Sequence, residues 1–536
     1  MKKFLALATA LSAALVALPS SAVAQGSSKS YEHKVASSAG GILIDITVYK
    51  PANASSKAPV PVVLFSHGWG GSKADGAGLA ASYNKAGFGY VTITQRGFGA
   101  SEGEANVQDP DLEAEDIQSV IDYIATLPWV KKNTDPKGNV IDNDPVLGAI
   151  GGSYGGGYQT VTALDEVAEN GSTRFDALVP EITWYDLNES LAPQGVVRTA
   201  WVAALYAAGN ARGRLPRFIH EAFAFGTATG QWPDGTFAGQ EFDAIPNIDK
   251  IFGTHSPRHL VEDKGAQLDI PVLMRQGASD NLFNLNQGLK IFKKAVSTHA
   301  RQQSLFVSFN GGHALPNAAP LGAPIAAGLG SGTDACSGDW NALRLDFLTA
   351  ALDGDPGTTT GDLLPARYNF TDLDGVTCHR FDSTNSETVA VNEGLDPTGN
   401  NTTVATAGLG APIHLPLGVG GKVTGTPVLS GEFDSGAIDT RAFFALSVGR
   451  TPADATVIQN NVMPLRSLMP TLGEKFEIEL PAISVQVPEG QQLFLTISPV
   501  SDMFFGHGSR TPGGFLLRDL ELSIPRPEKS ARGPRR

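Results

Sequence analysis

A serine lies in a glycine-rich turn, Gly151 to Gly155, between two segments of different character. The apolar run Val146 to Ile150 before it predicts a buried strand, and residues 157–167 after it predict a helix. In the pattern Gly-x-Ser-x-Gly at such a turn, the serine hydroxyl is exposed and faces the free N–H groups of the first helical turn. Ser153 is therefore a candidate nucleophile for attack on a carbonyl group.

The chain contains a second match to the same pattern, Gly99 to Gly103, with Ser101 at its centre. This match lies five residues past its predicted strand and leads into a polar loop. It lacks the direct strand-to-helix context, so we do not expect Ser101 to be a nucleophile.

A serine nucleophile needs a base, and the base needs an acid that fixes its tautomer. Asp280 follows a predicted strand that ends at Gln276, and His313 follows one that ends at Phe309. The order Ser, then Asp or Glu, then His, each at a strand's carboxyl end, is the order that accompanies this kind of strand–serine–helix turn. Asp269 and His299 precede these strands and would lie at the opposite edge of the sheet, so Asp280 and His313 are the candidates.

The elements that must position these residues alternate between strands and helices. Dense apolar runs at Val60 to Phe65 and Gly89 to Thr94, with a helix at residues 111–127, predict an α/β fold with a mostly parallel sheet covered on both faces. Residues 184–267 are too long for a simple connection and predict an inserted helical cap. Its candidate substrate-pocket residues are Trp184, Tyr185, Asp186, Glu189, Trp201 and Tyr206.

From about residue 364 the composition shifts to Thr, Val, Gly and Pro with short alternating runs, which predicts a β-sandwich. The expected organisation is a signal peptide at 1–24, a catalytic domain at 25–183 and 268–355, the cap at 184–267, a β-domain at 364–525 and a basic disordered tail at 526–536.

Three local segments resemble the α/β-hydrolase family typified by X-prolyl dipeptidyl-peptidases and bacterial cocaine esterase. They are the segment Arg96 to Gly103, the pair Pro128-Trp129 at a helix end, and Gly151 to Gly155 with a tyrosine after the serine. The resemblance implies the α/β-hydrolase fold, a jelly-roll C-terminal domain, and cleavage of ester or peptide bonds by a serine.

The chain departs from this family at three points. Thr94 stands where the family usually has Asp, and residues 131–142 form an insertion before the nucleophile strand. The family typically uses a tyrosine in its oxyanion loop, whereas this chain has His67 to Gly70, which is closer to lipases and general esterases. The backbone N–H groups of Trp69 and Tyr154 are the predicted oxyanion hole, and His67 is expected to shape the loop.

Composition and the termini define the compartment. The excess of 54 acidic over 40 basic residues argues against a nucleic-acid surface. A charged start, an apolar stretch and Ala22-Val23-Ala24 predict a cleaved signal peptide, so we expect an exported protein without a membrane span. The two cysteines, Cys336 and Cys378, are expected to form a disulfide in that oxidising environment.

These observations favour an exported serine hydrolase that cleaves carboxylic esters through an acyl-enzyme. It needs no metal or organic cofactor, and its expected partner is a small ester or peptide substrate. One alternative is an X-Pro dipeptidyl-peptidase, which would need cap carboxylates such as Asp186, Glu189 or Glu221 to bind a substrate ammonium. A remote alternative is a wall- or glycan-binding protein with a vestigial hydrolase domain.

Overall fold

A computed structural model describes the chain at residues 29–237, 240–322, 333–352, 359–391, 404–407, 411–504 and 514–528. The predicted signal peptide and the last eight residues lie outside these ranges.

The fold is organised around a sheet of ten strands. In chain order the strands of this sheet and of three two-stranded hairpins are β1 (Lys29–Ala36), β2 (Leu43–Lys50), β3 (Val62–Ser66), β4 (Gly89–Ile93), β5 (Lys132–Thr134), β6 (Val140–Pro145), β7 (Leu147–Gly152), β8 (Ala177–Glu181), β9 (Thr236–Phe237), β10 (Gln240–Glu241), β11 (Leu273–Gly277), β12 (Leu305–Phe309), β13 (Thr333–Asp334), β14 (Gly338–Asp339), β15 (Tyr368–Thr371) and β16 (Cys378–Phe381).

The order across the sheet is β1-β2-β4-β3-β7-β8-β11-β12-β15-β16. In this sheet β2 and β16 run antiparallel to the other strands. The nucleophile strand β7 and the strands β8, β11 and β12 are therefore neighbours with their carboxyl ends at one edge. That edge carries the sequence-predicted catalytic residues, as expected for this topology.

The central strands are apolar at nearly every position because the sheet is covered on both faces. Val62 and Leu64 pack into one core with the helix residues Ile117 and Val161. Val63, between them in sequence, points to the opposite core, which is closed by Trp340 and other aromatic residues. Side chains of a strand alternate between faces, so two cores need two interleaved apolar sets.

Helices cover the sheet and form the insertion between β8 and β11. They are α1 (Ala80–Lys85), α2 (Glu115–Thr126), α3 (Tyr154–Asn170), α4 (Leu187–Leu191), α5 (Thr199–Arg212), α6 (Arg217–Thr229), α7 (Ile248–Thr254), α8 (Leu285–Lys290) and α9 (Trp340–Leu352). Helices α4 to α7 lie within residues 184–267, the segment predicted to be a cap, and we call this segment the cap. Helix α3 ends at Gly171, whose φ of 78° is the left-handed conformation that favours glycine.

Two parts of the sequence form structure that the patterns did not reveal. The insertion at 131–142 folds as the hairpin β5–β6. Strands β15 and β16 extend the large sheet, although residues 368–381 were predicted to begin the β-domain. The disulfide between Cys336 and Cys378 joins the segment before α9 to β16 and so fastens this edge of the sheet.

The remaining strands form antiparallel sheets. They are β17 (Thr384–Ala390), β18 (Val404–Ala407), β19 (Ile413–Pro416), β20 (Gly421–Gly425), β21 (Val428–Ser435), β22 (Thr440–Gly449), β23 (Thr456–Val457), β24 (Met463–Ser467), β25 (Thr471–Glu479), β26 (Ile483–Val487), β27 (Gln492–Ser498) and β28 (Gly514–Pro527).

Two five-stranded sheets, one containing β21 and β28 and the other β22 and β27, share one apolar core. We call residues 384–527 the sandwich. Arg526 belongs to β28 and its guanidinium is bonded to Glu387 and to two backbone carbonyls, so the ordered sandwich continues into the predicted basic tail. Within the described ranges, no helix is both long and apolar enough to cross a membrane.

Candidate active site

The turn at Ser153 has the backbone conformation of a nucleophile elbow. Ser153 has φ 58° and ψ −121°, a strained conformation for a residue with a side chain. Its N–H donates to the Glu181 carbonyl at the end of β8, at 2.9 Å. A Cβ at Gly155 would overlap the Ser66 carbonyl at the end of β3. The glycine is required because the first turn of α3 crosses directly over the neighbouring strand.

Tyr154, the first residue of α3, has a buried side chain. Its hydroxyl donates to Oε1 of Glu113 at 3.4 Å. Glu113 also accepts hydrogen bonds from the N–H groups of Asn106 and Asp109, at 2.6 and 3.0 Å. Burial raises the pKa of Glu113 to about 8, because the charged form loses its hydration. Through these three hydrogen bonds, the Glu113 carboxyl group connects the loop of Asn106 and Asp109 to Tyr154.

The second Gly-x-Ser-x-Gly match has a structural role. The Ser101 hydroxyl is buried, donates to the Thr94 carbonyl at 2.5 Å and accepts from the Asp45 N–H at 2.8 Å. It joins the loop after β4 to β2. Arg96, from the same family-like segment, makes a buried two-point contact with Asp116 of α2, at 2.6 and 2.7 Å.

Asp280 and His313 form a hydrogen-bonded pair. His313 Nδ1 donates to Oδ2 of Asp280 at 2.7 Å, and the His313 N–H donates to the same oxygen at 3.0 Å. The other carboxylate oxygen accepts from the N–H groups of Leu282 and Phe283. Asp280 is fully buried, and these four bonds compensate for its lost hydration. The pair fixes the histidine so that Nε2 is left to accept a proton.

A glycine allows the loop that carries His313 to approach the loop that carries Asp280 closely. Gly312 has φ 112°, and a Cβ there would lie 2.6 Å from the Cβ of Asp280. Asn281 then fastens the two loops together: its N–H donates to the His313 carbonyl at 2.9 Å, and its side-chain amide bonds both backbone groups of Leu315. The sandwich adds Asn460, whose side chain donates to the Leu315 carbonyl at 2.5 Å and accepts from the Asn317 N–H at 3.0 Å.

The predicted oxyanion loop passes beside the nucleophile. A Cβ at Gly68 would lie 3.8 Å from the Cβ of Ser153, and Trp69 follows it. His67 is buried; its Nδ1 donates to the Gly68 carbonyl at 2.7 Å and its Nε2 accepts from the Gln95 N–H at 3.0 Å. Burial lowers the pKa of His67. Both ring nitrogens are occupied, so His67 shapes the loop and is not free to act as a base.

Aromatic rings connect the two sides of the site. The Trp69 ring lies edge-on to Tyr154 with centroids 5.0 Å apart, and Tyr154 is 6.4 Å from Trp184. Trp184 is 5.3 Å from Phe283, whose ring is edge-on to His313 at 5.3 Å. The residues on both sides of the expected reaction centre therefore share one apolar cluster.

A buried arginine, Arg198, lies near Asp280 and bonds the residue that follows it. Arg198, just before α5, is fully buried and donates from Nη1 to the Asn281 carbonyl at 3.0 Å. Its guanidinium lies 5.0 Å from the centre of the Phe504 ring of the sandwich. Burial lowers the pKa of Arg198 to about 10, partly opposed by the negative charge of Asp280. The group stays charged at neutral pH and offsets the charge of the acid.

The six candidate pocket residues divide into two groups. Trp184 and Trp201 belong to the aromatic cluster, and the Trp201 ring is edge-on to His313 at 5.9 Å. Tyr206 packs against the same cluster, stacks on Phe223 and bonds His220. The other three have partners elsewhere: Tyr185 bonds Glu262, Asp186 pairs with Arg258, and Glu189 pairs with Lys290.

Sequence reasoning missed the supporting residues Asn281, Arg198, Glu113, Phe283 and Asn460. Asn281 and Phe283 could have been found as neighbours of Asp280 in the same loop. The other three carry no local signal, because each reaches the site from a distant part of the chain. Within the described residues, no group of three or more His, Cys, Asp or Glu side chains could hold a metal ion.

The ten-stranded sheet and the strand–serine–helix turn at Ser153 are those of an α/β-hydrolase, and the hydrogen-bonded Asp280 and His313 lie at the same edge of the sheet. A family model for the X-Pro dipeptidyl-peptidases of family S15 matches residues 40–314, just over half of the chain. The chain belongs to this family and is a hydrolase. None of the curated proteins matches its sequence significantly.

Several solved structures are similar over almost the whole chain. A CocE/NonD family hydrolase from Staphylococcus aureus has a TM-score of 0.62 at 13% identity, covering 92% of this chain and 93% of that one. An aminopeptidase from a marine sediment archaeon of the Thaumarchaeota has a TM-score of 0.62 at 14% identity, covering 95% and 99%. An alpha-amino acid ester hydrolase has a TM-score of 0.55 at 13% identity, covering 95% and 98%. At these identities the similarity establishes the shared fold.

Proposed function

We propose that this protein is an exported serine esterase in which Ser153, His313 and Asp280 form the catalytic triad. His313 Nε2 takes the Ser153 hydroxyl proton as Oγ attacks the ester carbonyl carbon. The carbonyl oxygen becomes an oxyanion held by the N–H groups of Tyr154 and Trp69, each worth about 3 kcal/mol in comparable sites.

Collapse of the oxyanion breaks the ester C–O bond, and His313 gives its proton to the departing alcohol. The acyl group is then attached to Ser153 Oγ. His313 next removes a proton from a water molecule that attacks the acyl carbon, and returns it to Ser153 as the acid departs. Acylation and deacylation together regenerate the free enzyme and need no cofactor.

The observation that carries the choice of esters is the state of the cap carboxylates. An exopeptidase of free-amine substrates needs an available acid to pair with the substrate ammonium. Asp186 accepts the N–H groups of Asn188 and Glu189 as a helix cap and pairs with Arg258 at 2.7 Å. The carboxylate of Glu189 binds Lys290 at 2.8 Å, and Glu221 binds Arg217 at 2.6 Å.

The remaining charged groups near the site also favour an ester over a free-amine substrate. Glu113 is buried with a raised pKa, and Arg198 offsets the charge of Asp280. The aromatic cluster formed by the described residues around the site favours a neutral ester and gives no compensation for desolvating an ammonium group.

The test compares short- and medium-chain p-nitrophenyl esters with X-Pro-anilides. We expect kcat/KM for the esters to be higher by well over ~100-fold. Esters are intrinsically easier to hydrolyse than amides, so this ratio alone does not decide between the two functions. The decisive measurement is KM for a free-amine dipeptidyl ester and for its N-blocked analogue, in Asp186→Asn, Glu189→Gln and Glu221→Gln, one variant at a time. Equal KM changes for both substrates support the esterase. A large increase in KM for the free amine alone would support the X-Pro dipeptidyl-peptidase instead.

Export is supported by two independent features. Residues 1–24 have the pattern of a cleaved signal peptide, and the Cys336–Cys378 disulfide suits an oxidising compartment. Mass spectrometry of protein collected outside the cytoplasm should give a mature N-terminus near Gln25. An intact N-terminus at Met1 would contradict export by this route.

A further inference from the structure

Helix α5 of the cap contacts the acid–base side of the site through Trp201. The Trp201 Nε1–H donates to the Asn281 side-chain oxygen at 2.9 Å. That oxygen also accepts from the Leu315 N–H at 3.1 Å, and the Asn281 N–H donates to the His313 carbonyl. The helix is therefore attached to the residue that fastens the acid loop to the base loop.

The same helix contacts the oxyanion side of the site about one and two turns later, at Leu205 and Gly209. The Trp69 indole N–H donates to the Leu205 carbonyl at 2.9 Å. The indole can approach because residue 209 is a glycine: a Cβ at Gly209 would lie 2.7 Å from Trp69 Cζ2 and 2.8 Å from its Nε1. The ring is held on its other sides by Phe98 and Tyr154, at 5.1 and 5.0 Å between centroids.

These contact points lie on one face of the helix. Trp201, Leu205 and Gly209 are spaced by four residues, which places them in a row. Trp201 and Gly209 are the two buried residues of α5, while most of its other side chains are at least partly exposed. A helical glycine costs about 1 kcal/mol relative to alanine, so its use here is explained by the close approach of the indole.

We propose that α5 is a positioning element that fixes the distance between the oxyanion loop and the acid–base loops. A straight helix of eight residues spans about 12 Å and is stiff, whereas each loop alone is held by a few hydrogen bonds. Trp201 and Gly209 are positioning residues; neither needs to touch the substrate. The inference rests on the proposed function, because it concerns the same Ser153 site.

The proposed mechanism predicts that displacing Trp69 changes kcat more than KM. A displaced oxyanion donor weakens the transition state more than the bound ester, because the oxyanion forms only during the reaction. A substitution that moves Trp69 should therefore lower kcat with little change in KM. Substitutions that only loosen the cap should alter KM or thermal stability.

The test variant is Gly209→Ala, with Gly226→Ala in α6 as the matched control. Both add one methyl group to a cap helix and both favour helix formation. At Gly226 the nearest atom is the Gln231 carbonyl oxygen at an ordinary 3.5 Å. We expect Gly209→Ala to lower kcat for a p-nitrophenyl ester at least ~10-fold with KM within twofold, and Gly226→Ala to match the wild type.

A double-mutant cycle with Trp69→Phe identifies the cause. The smaller ring removes the atoms that the new methyl group would strike, and it keeps the backbone N–H. The loss caused by Gly209→Ala should then be much smaller in the Trp69→Phe background than in the wild type. Equal losses in both backgrounds, or wild-type kcat in Gly209→Ala, would overturn the proposal.

These failures differ from a failure of the proposed function. If Ser153 is not the nucleophile, the wild-type protein will neither turn over esters nor be labelled at Ser153 by a fluorophosphonate. If only the positioning role is wrong, the wild type is labelled and active, and Gly209→Ala is labelled at the wild-type rate.

Discussion

The turn at Ser153 and the loops that carry Asp280 and His313 are positioned in different ways. The elbow is part of the sheet: Ser153 bonds the end of β8, and Gly155 packs on the end of β3. The loop that carries His313 is held from outside the sheet, through Asn281 with the cap and Asn460 with the sandwich. The sheet therefore positions Ser153, while the cap and the sandwich make additional contacts with the loops that carry Asp280 and His313.

This difference has a consequence for substitutions. Changes at the glycine that packs the elbow on β3, Gly155, should damage folding and activity together, because the same contacts serve both. We call Trp201, Gly209 and Asn460 the braces, because they connect the cap and the sandwich to the loops of the site. Changes at the braces should lower activity with less effect on the cooperative unfolding of the sheet. The predictions below separate the two regions.

The largest effect is expected from removing the base. His313→Ala should lower kcat at least ~10³-fold without unfolding the protein, since the imidazole contributes to chemistry and little to the core. The control is His67→Gln, which disturbs a buried histidine with both nitrogens engaged. Steady-state kinetics would contradict the assignment if His67→Gln were inactive while His313→Ala remained active.

An added methyl group at the elbow should be nearly as damaging. Gly155→Ala places a Cβ against the Ser66 carbonyl, and a main-chain atom cannot move aside easily. Overpacking of this kind costs about 1–3 kcal/mol, so we expect a lower melting temperature together with at least ~100-fold lower kcat. Calorimetry and kinetics on the same preparation check this. A fully active Gly155→Ala would show that the elbow tolerates the shift.

The brace from the sandwich should have a smaller effect on turnover. Asn460→Ala leaves the Leu315 carbonyl and the Asn317 N–H without this partner, which costs about 1–3 kcal/mol for buried groups. We expect kcat to fall about tenfold as the base loop loosens. Asn385→Ala is the control, because it removes an exposed amide of the same sandwich that bonds Glu528. Identical kinetics for both variants would exclude a role for the sandwich in positioning His313.

The prediction with the smallest expected effect on turnover concerns the loop beside the elbow and is measured as stability against pH. The folded-state pKa of Glu113 is about 8, above the value near 4.5 of an unfolded chain. Its contribution to stability is therefore complete below about pH 4.5 and is lost as pH rises through about 8, with a slope of at most ~1.4 kcal/mol per pH unit. Glu113→Gln should flatten the decline in the free energy of unfolding between these limits. Parallel curves for wild type and variant would show that Glu113 titrates normally.

The sequence predicted the parts of the site that have local patterns. The strand–serine–helix turn could be predicted because strand, glycines, serine and helix are consecutive, and the positions of Asp280 and His313 because each follows an apolar strand. Their catalytic roles stay predictions. The continuation of the large sheet into β15 and β16 could not, since their short runs look like those of the sandwich. The braces at Trp201, Gly209 and Asn460 depend on contacts between residues far apart in sequence, and a single chain gives no sign of such pairs.

The most direct test of the central claim is the site of covalent modification. The mature protein is treated with a fluorophosphonate probe, digested, and mapped by mass spectrometry, with Ser153→Ala as the folded control. We expect one probe adduct on Ser153, none in Ser153→Ala, and loss of p-nitrophenyl ester hydrolysis in proportion to labelling. Labelling of Ser101 or another residue, or undiminished labelling of Ser153→Ala, would contradict the assignment of the nucleophile.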